Sequence, residues 1–180
     1  IRPVAGNRHM TAVWSLPEMT GIDGPRQAKL GGAGLGLVAL LSIEQTEPGF
    51  TSVDELRRLG RFLLYMQKPD GSFYSKYYPD GRGRDDRWTS MYYPGEAALG
   101  LLMLYEKDPQ RQWLGGASKA LSALARLGSQ RPKTLPDQWV LLATERVTPH
   151  LGQAKTLLSR DELLEHARRT CRDMLADQQG

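Results

Sequence analysis

Cysteine is nearly absent from this 180-residue chain: Cys171 stands alone, which excludes an internal disulfide and any metal site built from several thiolates. It lies in a basic helical stretch, Ala167 to Arg172, where a half-buried helix residue is a simpler expectation than a reactive thiol. Histidine is equally sparse. His9, His150 and His166 are scattered without an H-x-x-x-H spacing, so no metal and no other cofactor is expected. Long apolar runs are missing too. The longest, Leu35 to Ile43, falls far short of the roughly 20 residues that cross a bilayer, so no membrane span is expected. The start, Ile1-Arg2-Pro3, has neither an initiator Met nor a following apolar segment of the signal-peptide kind. The expectation is a soluble chain of undefined compartment, processed or cut from a longer one.

A strong excess of one charge is also lacking. The formal net charge is +4 with a pI near 9.3, which permits anionic partners such as acidic polysaccharide or nucleic acid without requiring either. The densest basic pairs, Arg57-Arg58 and Arg168-Arg169, fall on helices whose other face is apolar, so a solvated outer face accounts for them. A composition of 40% hydrophobic and 24% charged residues is that of an ordinary globular domain.

What is present is an internal echo. Gly31-Gly32-Ala33-Gly34-Leu35-Gly36-Leu37-Val38-Ala39-Leu40 aligns without a gap on Gly95-Glu96-Ala97-Ala98-Leu99-Gly100-Leu101-Leu102-Met103-Leu104, at an offset of 64 residues. Such self-similarity marks a repeated supersecondary unit. The small-residue run has poor helix propensity, about 1 kcal/mol lost per Gly relative to Ala, and is tolerated where backbones or ligands approach closely. It therefore points to an inner, crowded position.

Residues 1–25 read as irregular, broken by Pro3, Gly6, Pro17, Gly21, Gly24 and Pro25. Six helices follow: Gln27–Glu44; a second capped by Thr51 or Ser52 and running to Met66; Pro94–Lys107; Gln112–Leu127; Pro136–Val147; and Arg160–Asp177, which Ser159 and Glu162 open as a capping box. The odd members are more apolar and the even ones amphipathic, as an inner and an outer layer would be. The expected fold is all-α, a toroid-like (α/α) array of three helical hairpins over 26–180. Three hairpins cannot close a six-hairpin ring. The expectation is therefore an open or partial ring, a single domain of a larger protein, completed by another copy of the chain or by a missing segment.

Gln67-Lys68-Pro69-Asp70-Gly71-Ser72-Phe73 resembles the Q-x-x-D-G-S-W/F turn of (α/α) toroid proteins, among them the terpenoid cyclases and the six-hairpin glycosidase-like families. The turn has a physical basis in an Asp-Gly reversal and a packed aromatic. Trp88-Thr89-Ser90-Met91-Tyr92-Tyr93-Pro94-Gly95-Glu96-Ala97 is similar to the stretch before an inner helix in bacterial toroid proteins and, more distantly, in glucuronyl C5-epimerases. The resemblance implies a site where loops feed the inner helices. The D-x-D-D motif of one cyclase class is missing, with Arg84-Asp85-Asp86-Arg87 only a partial likeness, and a lanthionine-cyclase zinc site would need cysteines this chain lacks.

Around that mouth the carboxylates are Asp85, Asp86 and Glu96, the candidate catalytic groups. Glu96 falls in the first turn of its helix, where free N–H groups and the macrodipole favour the ionised form, as in a base or a hydrogen-bond acceptor. Glycoside hydrolysis needs one protonated and one ionised carboxyl across a groove, and Glu96 with one of the aspartates is the expected pair. An ion-paired loop with Arg84 and Arg87 explains the aspartates equally well. Half of the Phe, Trp and Tyr residues lie between Phe73 and Tyr93. Flat rings with polar edges suit sugar stacking, so Tyr74, Tyr78, Arg87, Trp88, Tyr92, Tyr93 and Trp139 are the candidate substrate contacts. Pro136-Asp137-Gln138-Trp139 repeats the Pro94-Gly95-Glu96-Ala97 helix start, which brings Asp137 towards the same mouth. The Gly31–Gly36 run follows no strand of a βαβ unit, so a dinucleotide site is not expected. No nucleic-acid module pattern is present, and nucleic acid is not an expected partner. The function expected is a carbohydrate-active domain, hydrolase-like or epimerase-like if catalytic. A non-catalytic helical scaffold that makes protein contacts is the alternative, and a terpenoid-cyclase-like enzyme a third.

Overall fold

The proline- and glycine-rich N-terminal stretch is not irregular; it builds strands. The computed structural model describes residues 1–4, 6–21, 23–153 and 159–178. Strands β1 (Arg2–Val4) and β2 (Asn7–Ala12) form an antiparallel pair, with Arg2 opposite Ala12 and a register shift between Pro3 and Val4. Strands β3 (Trp14–Ser15), β4 (Gln27–Lys29), β5 (Lys76–Tyr78) and β6 (Gly83–Asp85) follow one another across a second antiparallel sheet. A short helix, α1 (Pro17–Thr20), lies between β3 and β4. The described residues are 58% helical and 13% strand, which overturns the all-α toroid expected above. The expectation of a ring to be completed by another copy falls with it.

The physical reason for the miss is length and distance. Strands of two to six residues are too short to show a reliable period-2 pattern. The decisive pairing, Ala28 opposite Tyr77, joins segments far apart in the chain, and the strand Gln27–Lys29, expected as helix, runs without a break into the helix that follows.

The long helices are α2 (Leu30–Thr46), α3 (Val53–Tyr65), α4 (Tyr93–Lys107), α5 (Arg111–Ser129), α6 (Gln138–Val147) and α7 (Arg160–Gln178). Local chemistry sets their starts. Ser52 caps α3 reciprocally with Glu55, and Ser159 pairs with Glu162 in the same way before α7. Asp137 caps α6 by accepting from the Trp139 and Val140 amides at 2.9 and 3.3 Å. The apolar stripe of α3, Leu56, Leu59, Leu63 and Met66, is fully buried.

Helix α4 is central: it packs on α2, α5 and α6, and every residue from Gly95 to Leu104 is buried. Helices α2, α4 and α6 lie side by side and begin at the same end. A side chain at Gly31 would meet Tyr93 and Glu96, and one at Gly95 would meet Asp137 and Trp139. The four-stranded sheet sits at that end as well, because β4 runs directly into α2 and the Leu30 amide donates to the Ser75 carbonyl at 2.9 Å. The Gln67–Phe73 turn docks on α5: Gly71 has φ +91°, and Gln67 Nε2 donates to the Gly71 and Gly116 carbonyls at 3.2 and 2.9 Å. Phe73 is buried beneath it. Cys171, expected to be half-buried, is exposed on α7.

A second anchor joins α3 to the α4–α5 corner. Arg57 donates twice to Asp108, at 3.0 and 2.7 Å, and the buried Trp113 indole donates to the same carboxylate at 3.0 Å. The Arg57 guanidinium and the Trp113 N–H hold Asp108 down to about 2.

Not every helical glycine is needed for packing. A methyl at Gly115 on α5 would meet nothing within 4 Å. Replacing Gly115 by Ala is therefore expected to stabilise the fold by about 0.5–1 kcal/mol, through reduced unfolded-state entropy and better helix propensity. Urea denaturation checks this. A loss of stability would mean that α5 is more tightly covered at this point than its open face shows.

Candidate functional site

The shared end of α2, α4 and α6 gathers two buried carboxyls. Glu96 lies in the first turn of α4 and Asp137 caps α6; they are only 6% and 4% exposed. One oxygen of each, Glu96 Oε2 and Asp137 Oδ2, is buried without a hydrogen-bond partner. Burial and the neighbouring Asp137 charge raise Glu96 to about 7, and burial raises Asp137 to about 6 against the pull of its two capping amides. This corrects the ionised Glu96 expected from its helix position. A macrodipole contributes some 0.3–1 kcal/mol at a helix start, whereas each unit of pKa is about 1.4 kcal/mol, so a rise of this size outweighs it. Both groups thus titrate near or just below neutral pH, with Glu96 the stronger holder of a proton.

Glycine makes the room. A Cβ at Gly31 would lie 2.3 Å from Glu96 Oε2 and 2.4 Å from Tyr93 Cε1, and one at Gly95 would lie 2.7 Å from Asp137 Oδ2. The carboxyls and the Tyr93 ring thus occupy the notches the missing side chains leave. Burial and the Glu96 charge push the Tyr93 hydroxyl up. From Tyr93 a line of groups leads outwards. Trp88, 51% exposed, meets Tyr93 edge to face at 5.7 Å, and the Lys76 ammonium lies 4.8 Å above the Trp88 ring. On the other side, Trp139 is half-buried against Gly95. Asp137 also borders a cavity of about 60 Å³ between α5, α6 and α7, across from His166. Burial and then Arg169 pull the His166 imidazole below its usual value.

The other expected site residues lie elsewhere. Asp85 accepts from Arg87, at 2.8 Å from Nε, and Asp86 is bridged by Lys68. The Arg87 side chain is largely exposed beyond this pair. The carboxyl that acts on Glu96 is Asp137, where the sequence reading paired Glu96 with one of these aspartates. Tyr78 is buried under the Arg82 guanidinium, 3.8 Å from its ring centre. Tyr74 carries Lys68 and Arg84 at 4.9 and 4.8 Å. Tyr92 stands at the cap position of α4, its amide donating to Ser90 Oγ at 3.3 Å. The structure therefore joins Glu96, Tyr93, Trp88 and Trp139 to Asp137 at one end of the helix layer, and leaves Tyr74, Tyr78, Asp85, Asp86 and Arg87 around the β5–β6 hairpin. Asp137 had a signal, the repeated Pro-x-x helix start. The half-buried His166, which lines the same cavity, had none.

Among the described residues, no three His, Cys, Asp or Glu side chains come together as metal ligands, and no helix is long and apolar enough to cross a membrane. Comparison with protein-family models, with curated proteins and with solved structures gives no match.

Proposed function

We propose that this chain is a carbohydrate-active domain that binds a poly- or oligosaccharide at the end of the helix layer marked by Trp88 and Tyr93, and acts on it by acid–base chemistry. The observation that supports this most is the Glu96–Asp137 pair, two buried carboxyls raised towards neutral pH to different extents. Glycosidic bond cleavage needs one carboxyl that keeps its proton and one that gives it up. Glu96 takes the acid role and Asp137 the base role. The exposed Trp88 face, backed by Tyr93, supplies a stacking surface for a sugar ring.

The test is a glycan screen that includes acidic polysaccharides, followed by a reducing-end assay on whatever binds. Saturable binding should weaken in Trp88→Ala and persist in Glu96→Gln, while turnover in Glu96→Gln falls about 10²–10⁴-fold, the usual contribution of a general acid. Absence of glycan binding by the folded chain would sink the proposal.

A second reading, a non-catalytic scaffold, draws on one specific observation. Three aromatics of the Phe73–Tyr93 stretch are spent on internal packing: Phe73 and Tyr78 are buried, and Tyr77 meets Trp14, Phe62 and Tyr65 edge to face at 6.0, 6.3 and 6.0 Å. On that reading Glu96→Gln changes stability and nothing else.

A further inference from the structure

A different face of the molecule carries a groove of about 700 Å³ between α3, the Gln67–Phe73 turn, β6 and α5. We propose that it is a binding site for a small ligand bearing a carboxylate or phosphate group. The site is separate from the Glu96–Asp137 pair and stands or falls independently of it.

Three cations line the groove: Lys68 in the turn, Arg84 on β6 and Lys119 on α5. Many basic side chains elsewhere are already matched; Arg57, Arg82, Arg87, Lys107 and Arg146 each hold a carboxylate. Here the matching is incomplete. Lys68 bridges to Asp86 and also acts on Asp70 from a distance. Arg84 donates from Nη1 to the Tyr65 carbonyl at 2.8 Å, and among the described residues its Nε and Nη2 have no acceptor. Lys119 is exposed on α5, and its ammonium has no ion pair or hydrogen bond among the described residues. The rest of the Arg84 guanidinium and the whole Lys119 ammonium therefore stand at the groove without an acid.

The cations are also held in place. The Arg84 guanidinium lies 4.6 Å from the Tyr65 ring centre and 4.8 Å from that of Tyr74, and Lys68 shares the Tyr74 ring at 4.9 Å. A stacked guanidinium loses less freedom when it receives an oxyanion, and its planar fork matches the two oxygens of a carboxylate or phosphate. The wall opposite is kept low. Gly115 and Gly116 of α5 line the groove, and Gly115 and Lys119, four residues apart, share one helix face. A Cβ at Gly115 would meet nothing within 4 Å, which leaves space above it for a ligand.

Titration of the chain with glucose 6-phosphate, with glucuronate and with neutral glucose tests this, read by amide chemical-shift changes. At least one of the two anions is expected to bind, glucose not, and affinity should fall with added salt. Two variants place the site: Lys119→Glu reverses a free charge, and Gly115→Glu fills open space with a negative one. Each should weaken the anion at least tenfold while circular dichroism stays that of the parent chain. Binding of the phosphate alone, of the carboxylate alone or of both supports the site and names its chemistry. It is overturned if neither anion binds, if glucose binds equally well, or if both variants bind like the parent.

Discussion

Raising the pH from about 5 to about 8 is expected to weaken the fold, which reverses the usual behaviour of carboxyl groups. Glu96 is raised to about 7 from 4.5 and Asp137 to about 6 from 3.8, so the folded chain keeps protons that the unfolded chain has released. Their contribution is whole below the unfolded values and is lost as pH rises through the folded ones. At about 1.4 kcal/mol per unit, a carboxyl raised this far accounts for on the order of 3 kcal/mol. On the acid side the order is the usual one. Asp108, held at about 2 by Arg57, and Glu44, lowered by the Thr51 amide and Lys107, stabilise the fold above their unfolded values and lose that effect as pH falls below about 4. Stability should therefore peak in the weakly acid range.

Urea midpoints at half-unit steps of pH measure this. In Glu96→Gln part of the alkaline fall should vanish, while Asp137, raised by its own burial, should keep its share. In the double variant with Asp137→Asn, which keeps a competent cap, the fall should vanish altogether. His166 works in the opposite sense: burial lowers its value, so it destabilises the fold as pH drops through its unfolded range and must be fixed as Gln in a parallel series. A flat profile between pH about 5 and 8 in the His166→Gln background would remove the acid pair as a physical entity.

The sequence showed the helical part of this fold because its signals are local. Ser159 with Glu162 marks a helix start by groups three residues apart and is found hydrogen-bonded as expected, and of the two caps expected for α3, Thr51 or Ser52, Ser52 takes the role with Glu55 as its partner. The glycine echo belongs to the same class, since Gly31, Gly34 and Gly100 all lie where α2 meets α4. The sheet stayed hidden because its partners, Trp14, Ala28, Tyr77 and Arg84, are each in strands too short to carry a pattern and meet only in three dimensions. The site divides along the same line. That Glu96 opens a helix is a local fact. That a second carboxyl, Asp137, sits beside it with no hydrogen-bond donor for the facing oxygens is a property of packing, and it decides the protonation.

Packing also makes Gly34 a position where α2 meets the backbone of α4 too closely for a side chain, and a large stability loss is expected there. A Cβ there would lie 2.9 Å from the Ala97 amide nitrogen and from the Glu96 carbonyl carbon, and 3.0 Å from the Glu96 oxygen. These are backbone atoms of α4, a helix buried along Gly95–Leu104, so neither helix can yield without disturbing the core. Gly32, two residues away, offers the control: a Cβ there would approach only the Val13 side chain, at 3.8 Å, an ordinary contact. Both substitutions to Ala gain about 1 kcal/mol of helix propensity. Gly32→Ala should keep that gain, whereas in Gly34→Ala overpacking of a rigid contact, at about 1–3 kcal/mol, offsets it and leaves a net loss of up to about 2 kcal/mol. In a chain of this size the difference is several degrees in Tm, at about 2–4 °C per kcal/mol. The same displacement should reach the site. Pushing the first turns of α4 away from α2 opens the Glu96 carboxyl to water, lowers its pKa and flattens the alkaline fall in stability. Equal stability in Gly34→Ala and Gly32→Ala would show that the close approach of α2 and α4 does not hold Glu96 in its buried position.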